Sequence, residues 1–516
     1  MKSSTRIIVN TIVSYGRSLF AIFVALFSTR WILEALGHVD FGLFGLVGSL
    51  IALISILNNG LSVGVTRFYA FAIGEGENDS KEDANERLLR WFNAAFSIHA
   101  LIPILFVLIG WPIGEYAIKN WLVIPDERLA ACLIVFRISL ITAFLTIFSV
   151  PFISMYMAHQ RIAEISLFGV LRSCLIFILS WCLLTVSSDK LVFYAYCMVG
   201  IAGGITLVQI IRAMYCFPAC RPRIEYMFNK EYIAKLFTYS GWKMLGMGFV
   251  TLRMQGTPML INLQFGPVVN AAYGLAFSLS SKATMLSESL TSAFRPAVIS
   301  SEGKGERVAM LEMALRACKF GSVLVILFAV PLIVEMNYVL ELWLKNPPMY
   351  VSPICQWLLA MLIVERMTTG QMLAVNARGK IAKYEIIQGF TLFFALPLMW
   401  LFFRLGSSPV GVGIALFISM FLYCVGRILF AKYLVNFPIR DWIYRVALPV
   451  SGLILIITAA TVFASRTSFD AFMHISFSTF IGLAAAVPYT WFVILDSDEQ
   501  FFCKKAIKNI RSKFSF

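Results

Sequence analysis

Two arginines stand where a charge is costly to keep. Arg17 and Arg253 each lie about ten residues inside a long apolar run, near the middle of a bilayer at 1.5 Å of rise per residue. An ionised group at that depth costs several kcal/mol unless it faces a wet cavity or a partner. Neither arginine has an acid one turn away on its own run. The guanidinium is a planar fork that donates paired hydrogen bonds and stays charged, so the chemistry on offer is capture of an anion with several oxygens, a diphosphate above all. A structural ion pair with another run is the alternative. Asn10 and Ser14 share the face of Arg17, and Lys243 shares that of Arg253.

Further candidates surround these two. The stretch Gly241–Glu306 adds Lys282, Glu288 and Arg295. Asn270, Tyr273, Phe277, Ser280, Thr284, Ser287, Thr291 and Arg295 trace one polar stripe along it, so this helix should not face lipid. A second stripe runs through Ser55, Asn59, Ser62 and Thr66, with Arg67 beyond it. Arg67 and Arg295 lie near the ends of their runs, where they can snorkel to headgroups or reach a substrate path. Arg137 and Arg172 sit inside two more apolar runs. The candidate substrate-binding residues are therefore Arg17, Arg253, Lys282, Arg137, Arg172, Asn59, Arg67 and Arg295. Glu288 either neutralises a neighbouring arginine or carries a proton. Glu365, at mid-depth beside Arg366, Thr369 and Gln371, is the other candidate for proton or sodium coupling. His38, His99, His159 and His474 are dispersed, and of ten cysteines only Cys216 and Cys220 lie close together. No catalytic, cofactor or metal site is expected, and the cysteines read as small core residues.

The elements that hold these residues are membrane helices. Of 516 residues 59% are apolar and 14% charged, with a mean hydropathy of +0.81, too few polar groups to cover a soluble surface. Ile7–Thr29 is too long for a signal core and lacks a small-residue cleavage site. At about twenty residues per span, fourteen helices are expected: Ile7–Thr29, Phe41–Ile73, Trp91–Trp111, Leu129–Met155, Ile162–Thr185, Leu191–Tyr215, Tyr239–Leu263, Val268–Val298, Ala317–Met336, Ser352–Val375, Ile386–Phe403, Val410–Ala431, Trp442–Ala464 and Ala471–Leu495. With the N-terminus inside, the inner segments hold 26 lysines and arginines and the outer ones 7. That bias orients the chain with both termini inside. It also accounts for much of the +15 net charge without nucleic acid.

The chain repeats itself. Sliding it by 229 positions lays Gly37–Glu77 on Gly266–Glu306 with eleven identities and no gap, and Asn59 falls on Glu288. A parallel twofold repeat follows. The expected organisation is all-α: a six-helix lobe over 1–216, a basic linker over 217–238, a second six-helix lobe over 239–433, an extra pair of helices over 434–495 and a basic tail over 496–516. In the tail, Phe502, Ala506, Ile510 and Phe514 recur every four residues among lysines, which reads as an interfacial helix. The last pair carries no charge between Arg445 and Arg466 or between Asp470 and Asp496, so it either cradles a lipid tail or completes the bundle.

Leu36–Ala70, with Gly37, Asp40, Phe41 and Gly42 entering the second span, resembles the start of the multidrug/oligosaccharidyl-lipid/polysaccharide (MOP) exporter superfamily. Pro151–Ser173 looks like that family's turn between its fourth and fifth spans, and Val268–Ser281 like its eighth span. Fourteen spans and a basic interior look most like its Wzx-type branch, the polysaccharide and O-antigen flippases. The resemblance implies two lobes facing one cavity that opens to one side at a time. It also implies an undecaprenyl-diphosphate-linked oligosaccharide as cargo, a bacterial inner membrane as location, and other polysaccharide-assembly proteins as partners beside the membrane lipids. A lipid II-type flippase and a cation-coupled multidrug exporter are the alternatives within the superfamily. A membrane glycan polymerase or ligase is the alternative outside it, and the short outer loops speak against such an enzyme.

Overall fold

A computed structural model describes the backbone at 3–75, 81–159, 161–303, 305–378, 382–465 and 471–501. Within these helices, side chains at 3–22, 52–60, 63, 70–71, 74–75, 81–84, 162–163, 239–247, 286, 289–290, 292–293, 296–297, 299–300, 303, 382 and 471–472 are outside the described residues. All regular structure among the described residues is helical. The order is α1 (Ser3–Glu75), α2 (Lys81–Asn120), α3 (Asp126–Phe148), α4 (Val150–Ala158), α5 (Ile162–Cys182), α6 (Lys190–Cys216) and the short α7 (Ile224–Met227). Then come α8 (Lys230–Gly303), α9 (Arg307–Val334), α10 (Met336–Leu344), α11 (Val351–Met367), α12 (Thr369–Arg378), α13 (Ala382–Phe393), α14 (Ala395–Arg404) and α15 (Gly411–Val435). The chain closes with α16 (Ile439–Trp442), a π turn over Ile443–Ala447, α17 (Leu448–Ala464), α18 (Ala471–Tyr489) and a second π turn over Thr490–Ile494. By length and composition ten helices among the described residues can cross a membrane, or eleven if α11 and α12, bent by 48° at their junction, make one span. The protein is a multi-pass membrane protein.

The repeat is visible in the backbone. α1 and α8 are each two helical arms joined at a single non-helical residue. That residue is Gly37 (φ 72°, ψ 175°) in one and Gly266 (φ 78°, ψ −172°) in the other, 229 positions apart. Only glycine enters that left-handed region without a Cβ penalty of about 1–2 kcal/mol. The order of elements then repeats as well: the break at Ser149 between α3 and α4 recurs at Thr368 between α11 and α12. Each expected span has a helix, but two pairs are fused across a glycine and three are split, at Ser149, Thr368 and Phe394. A window that scores apolarity registers neither event.

The chain packs as two compact units, residues 1–274 with 392–409 and residues 275–391 with 410–516. In the first unit two apolar layers lie one beyond the other along the helices. One gathers Leu43, Val47, Cys132, Val135, Phe136, Leu183 and Leu191, and the other Val65, Tyr69, Phe92, Phe152, Met155 and Tyr156. The basic linker after α6 is fastened over the second layer. Asn93, fully buried on α2, accepts from the Arg223 N–H at 2.6 Å and donates to the Arg221 carbonyl at 3.3 Å, while Ser97 donates to the Met227 carbonyl. In the second unit a Cβ at Gly370 would lie 1.8 Å from the Ala314 carbonyl oxygen, so α12 meets the backbone of α9 directly.

The four residues around the first kink each have a structural task in the first unit. Gly37 makes the turn. Asp40 accepts from Arg128 Nε at 2.8 Å, and the same guanidinium reaches Asp189 at 2.8 Å, whose carboxylate caps α6 through the N–H groups of Leu191 and Val192. Phe41 packs on Gly274. Gly42 lies against the backbone of Pro267, where a Cβ would stand 2.0 Å from the carbonyl oxygen. The buried Asn270 amide donates to the Gly42 carbonyl at 3.2 Å, and Asn262 pairs with both backbone groups of Val123 at 2.9 and 3.1 Å.

Candidate functional site

The kink at Gly266 folds α8 back so that side chains before and after it meet. Arg253, half-buried on the incoming arm, lies beside Tyr273 on the outgoing arm, which is buried. Thr257, one turn after Arg253, is fully buried. Its hydroxyl donates to the Arg253 carbonyl at 2.8 Å and is hydrogen-bonded to Tyr273. The hydroxyls beside Arg253 are thus committed to each other and to backbone. The guanidinium is not: its Nε is buried without a hydrogen-bond partner, and no acid pairs with it among the described residues. A buried donor left unmade costs about 1–3 kcal/mol, more when charged.

The other predicted cations separate into paired and unpaired. Arg172, exposed on α5, lines a cavity of about 250 Å³ with Phe44, Gly48, Ser139, Thr142 and Met198, and it has no acidic partner among the described residues. Lys282, half-buried on α8, likewise has none. Arg137 is answered by Glu115 at 2.7 Å, whose carboxylate also takes the Trp111 indole N–H at 2.6 Å. Arg67 is exposed. The side chains of Arg17 and Asn59 are outside the described residues.

In the second unit the two predicted acids belong to one arginine-rich cluster. Glu288 stands 3.1 Å from Arg366 and 3.2 Å from Arg295. Glu365 stands 3.6 Å from Arg366 and 3.9 Å from Arg427. Arg366 and Arg427 are each 3% exposed, the most buried cations here beside Lys319. Arg427 donates to the Tyr423 hydroxyl at 3.0 Å and to the Glu365 carbonyl and Thr368 hydroxyl at 3.4 Å. At the break, then, a buried guanidinium takes up the Glu365 carbonyl together with the Thr368 hydroxyl. Three guanidinium groups face two carboxylates, so the cluster keeps a positive excess even with both acids ionised.

Three more ionic groups were not singled out from the sequence. Lys319, 3% exposed on α9, is held by Glu499 and by Asp496 at 3.2 Å, beyond α18. Arg445 bridges Glu312 at 2.7 Å and Asp496 at 2.8 Å. His474 and Glu335 form a pair buried to 2% each. Their partners are 51 to 180 residues apart in the chain, so local spacing carries no trace of them. No group of three His, Cys, Asp or Glu residues placed to hold a metal ion occurs among the described residues.

Comparison with known proteins places the fold. No protein-family model and no curated protein sequence matches the chain. An inward-facing multidrug resistance MATE family transporter of the MOP superfamily superposes with a TM-score of 0.70 at 14% identity, over 83% of this chain and 98% of that one. The lipid II flippase MurJ in an inward closed conformation does so with a TM-score of 0.70 at 14% identity, over 93% of this chain and 98% of that one. A MOP superfamily transporter from Pyrococcus furiosus, described as having a binding pocket of reverse polarity, superposes at 0.59 with 13% identity, over 81% and 93%. The fold is that of MOP superfamily transporters.

Proposed function

We propose that the protein is a flippase that moves an anionic polyprenyl-diphosphate-linked oligosaccharide outward across the bacterial inner membrane. Two six-helix lobes, 1–216 and 239–433, alternate access to a basic cavity. The observation that carries this is Arg253, a half-buried guanidinium on α8 whose Nε is buried without a hydrogen-bond partner and which no acid answers among the described residues. Its counterion must arrive with the cargo, and a diphosphate matches the fork. Arg172 and Lys282 supply further charge that no acid answers among the described residues. The similarity to the lipid II flippase extends over more of this chain than the similarity to the MATE transporter, by about the length of the last helix pair. That pair is apolar along both helices and suits the polyprenyl tail.

Of the alternatives, a cation-coupled drug exporter wants acids in its cavity without arginines beside them, and Glu288 and Glu365 are both held by arginines. A lipid II-type flippase shares the diphosphate and differs in the sugar. The test is complementation. The gene is expressed in strains lacking either the surface-polysaccharide flippase or the lipid II flippase, and surface glycan and survival are measured against protein in the membrane. Restored glycan without rescue of the second strain supports the proposal. Rescue of the second strain alone moves the cargo to lipid II. Drug resistance with neither would overturn the anionic-cargo reading.

A further inference from the structure

Glu335 stands at the end of α9 that the charge bias places outside. It is 2% exposed, yet its carboxylate is only half answered. One oxygen lies 3.1 Å from His474 Nδ1, an ion-pair distance without the in-line geometry of a hydrogen bond. The other oxygen, Oε1, is buried and has no hydrogen-bond partner among the described residues. The imidazole is fixed from its far side, where Nε2–H donates to the Ser465 carbonyl at 2.9 Å, and Tyr338 covers its ring at 4.4 Å between centroids. With Nε2 committed as donor to the Ser465 carbonyl, the imidazole does not turn to answer Oε1, which is left as an acceptor.

Glu335 lines a groove of about 400 Å³ between α9 and α18, with Leu327, Phe328, Leu332 and Ile475. The rim residues Leu324 and Leu483 are exposed, 36% and 37%, so the groove opens on the flank of the helices, toward hydrocarbon. From Leu324 to Glu335 it rises roughly 16 Å along α9, about half of a 30 Å bilayer core and thus the length of one leaflet. An apolar trough as long as one acyl chain ends at headgroup level on an unanswered acceptor of negative character. Such an oxygen favours a donor, and a cationic donor most, because charge-assisted bonds are about twice as strong as neutral ones.

We propose that this groove is a binding site for a bilayer phospholipid with a primary ammonium headgroup, its acyl chain along α9 and its ammonium donating to Glu335. The site is separate from the arginines of the transport reading and does not depend on it. An anionic cargo has no use for Glu335, so failure of one leaves the other standing.

The test uses the full-length protein in nanodiscs of phosphatidylethanolamine or of phosphatidylcholine, whose quaternary ammonium carries no N–H. Lipid retained on release is counted by native mass spectrometry, and the unfolding temperature is measured in both. Retention of the ethanolamine lipid is expected to exceed that of the choline lipid about tenfold, the size of one charge-assisted hydrogen bond. Glu335→Gln keeps the shape and removes the charge, and it should abolish the preference. Leu327→Trp fills the groove with Glu335 intact, and it should displace both lipids. Equal retention by the wild type, or a preference that survives Leu327→Trp, overturns the proposal whether or not Glu335→Gln folds. Binding of dodecylammonium in detergent without retention of the ethanolamine lipid overturns it too, since the site would then serve a free amine.

Discussion

Arg253→Ala is the most informative single change. In the structure its Nε has no partner, and the Thr257 hydroxyl that could substitute is already donated to the Arg253 carbonyl. No neighbouring group among the described side chains takes over the contact. A hydrogen bond to a charged group is worth about 1.5–3 kcal/mol. A bidentate grip on a diphosphate thus loses about 3–6 kcal/mol in the alanine variant, a factor of a hundred or more. Arg253→Lys keeps the charge and loses the fork, so about one of the two bonds goes and export falls by a factor of ten or more. Arg404, which lies over the Trp400 ring at 5.4 Å near the end of α14, serves as control, and alanine there should change little. The assay is surface glycan in a strain lacking its own flippase, normalised to protein in the membrane, together with the unfolding temperature of each purified variant. The expected pattern is lost export with unchanged or raised stability, because alanine removes a buried charge with no partner. Normal export by Arg253→Ala would refute the reasoning. Lost export with a fall in unfolding temperature would instead assign Arg253 to a structural pair.

Three further expectations follow from the geometry. Reporter fusions after Lys190, Lys345 and Arg466 should read outside and those after Lys230, Lys380 and Lys513 inside, as the 26-to-7 charge bias requires; one exchanged pair would break the topology. Gly266→Ala should lower stability by about 1–2 kcal/mol, since Cβ is strained at φ 78°. Thermal unfolding checks this, and an unchanged midpoint would mean that the kink is not held. Between the spans, burial pulls the Asp189 carboxyl up, but hydrogen bonds from Arg128 and Val192 outweigh it and leave the group below its ordinary value. Its stabilising effect is therefore whole above about pH 4, the unfolded carboxyl's pKa, and is lost as pH falls through the lower folded value. Unfolding midpoints measured from pH 6 down to pH 3 should fall less steeply for Asp189→Asn than for the wild type.

The comparison of Gly37 with Gly266 and of Arg253 with Arg427 shows what a sequence carries and what it hides. The two glycines were legible because a repeat at 229 positions is a property of the string, and a left-handed turn leaves glycine as its signature. A depth for Arg253 was legible as an expectation, set by span length. Pairing was not. Arg427 falls near the inner end of its span, and a charge tally assigns it to the inner surface. In the structure it is 3% exposed, because the neighbouring helix breaks at Thr368 and offers the Glu365 carbonyl and the Thr368 hydroxyl at the same level. The counterpart break at Ser149 is followed by Pro151, a visible signal, whereas the break at Thr368 is marked only by Gly370, whose task is contact with α9. So a guanidinium near a span's end was buried by a backbone event that composition does not register. The functional argument rests on that distinction. Arg366 and Arg427 are the more deeply buried, but the carboxylates beside them and the Glu365 carbonyl account for their charge, whereas Arg253 is less buried and no acid answers it among the described residues. Burial alone would rank them in the opposite order, and it is the ionic partners that single out Arg253 as the proposed ligand group.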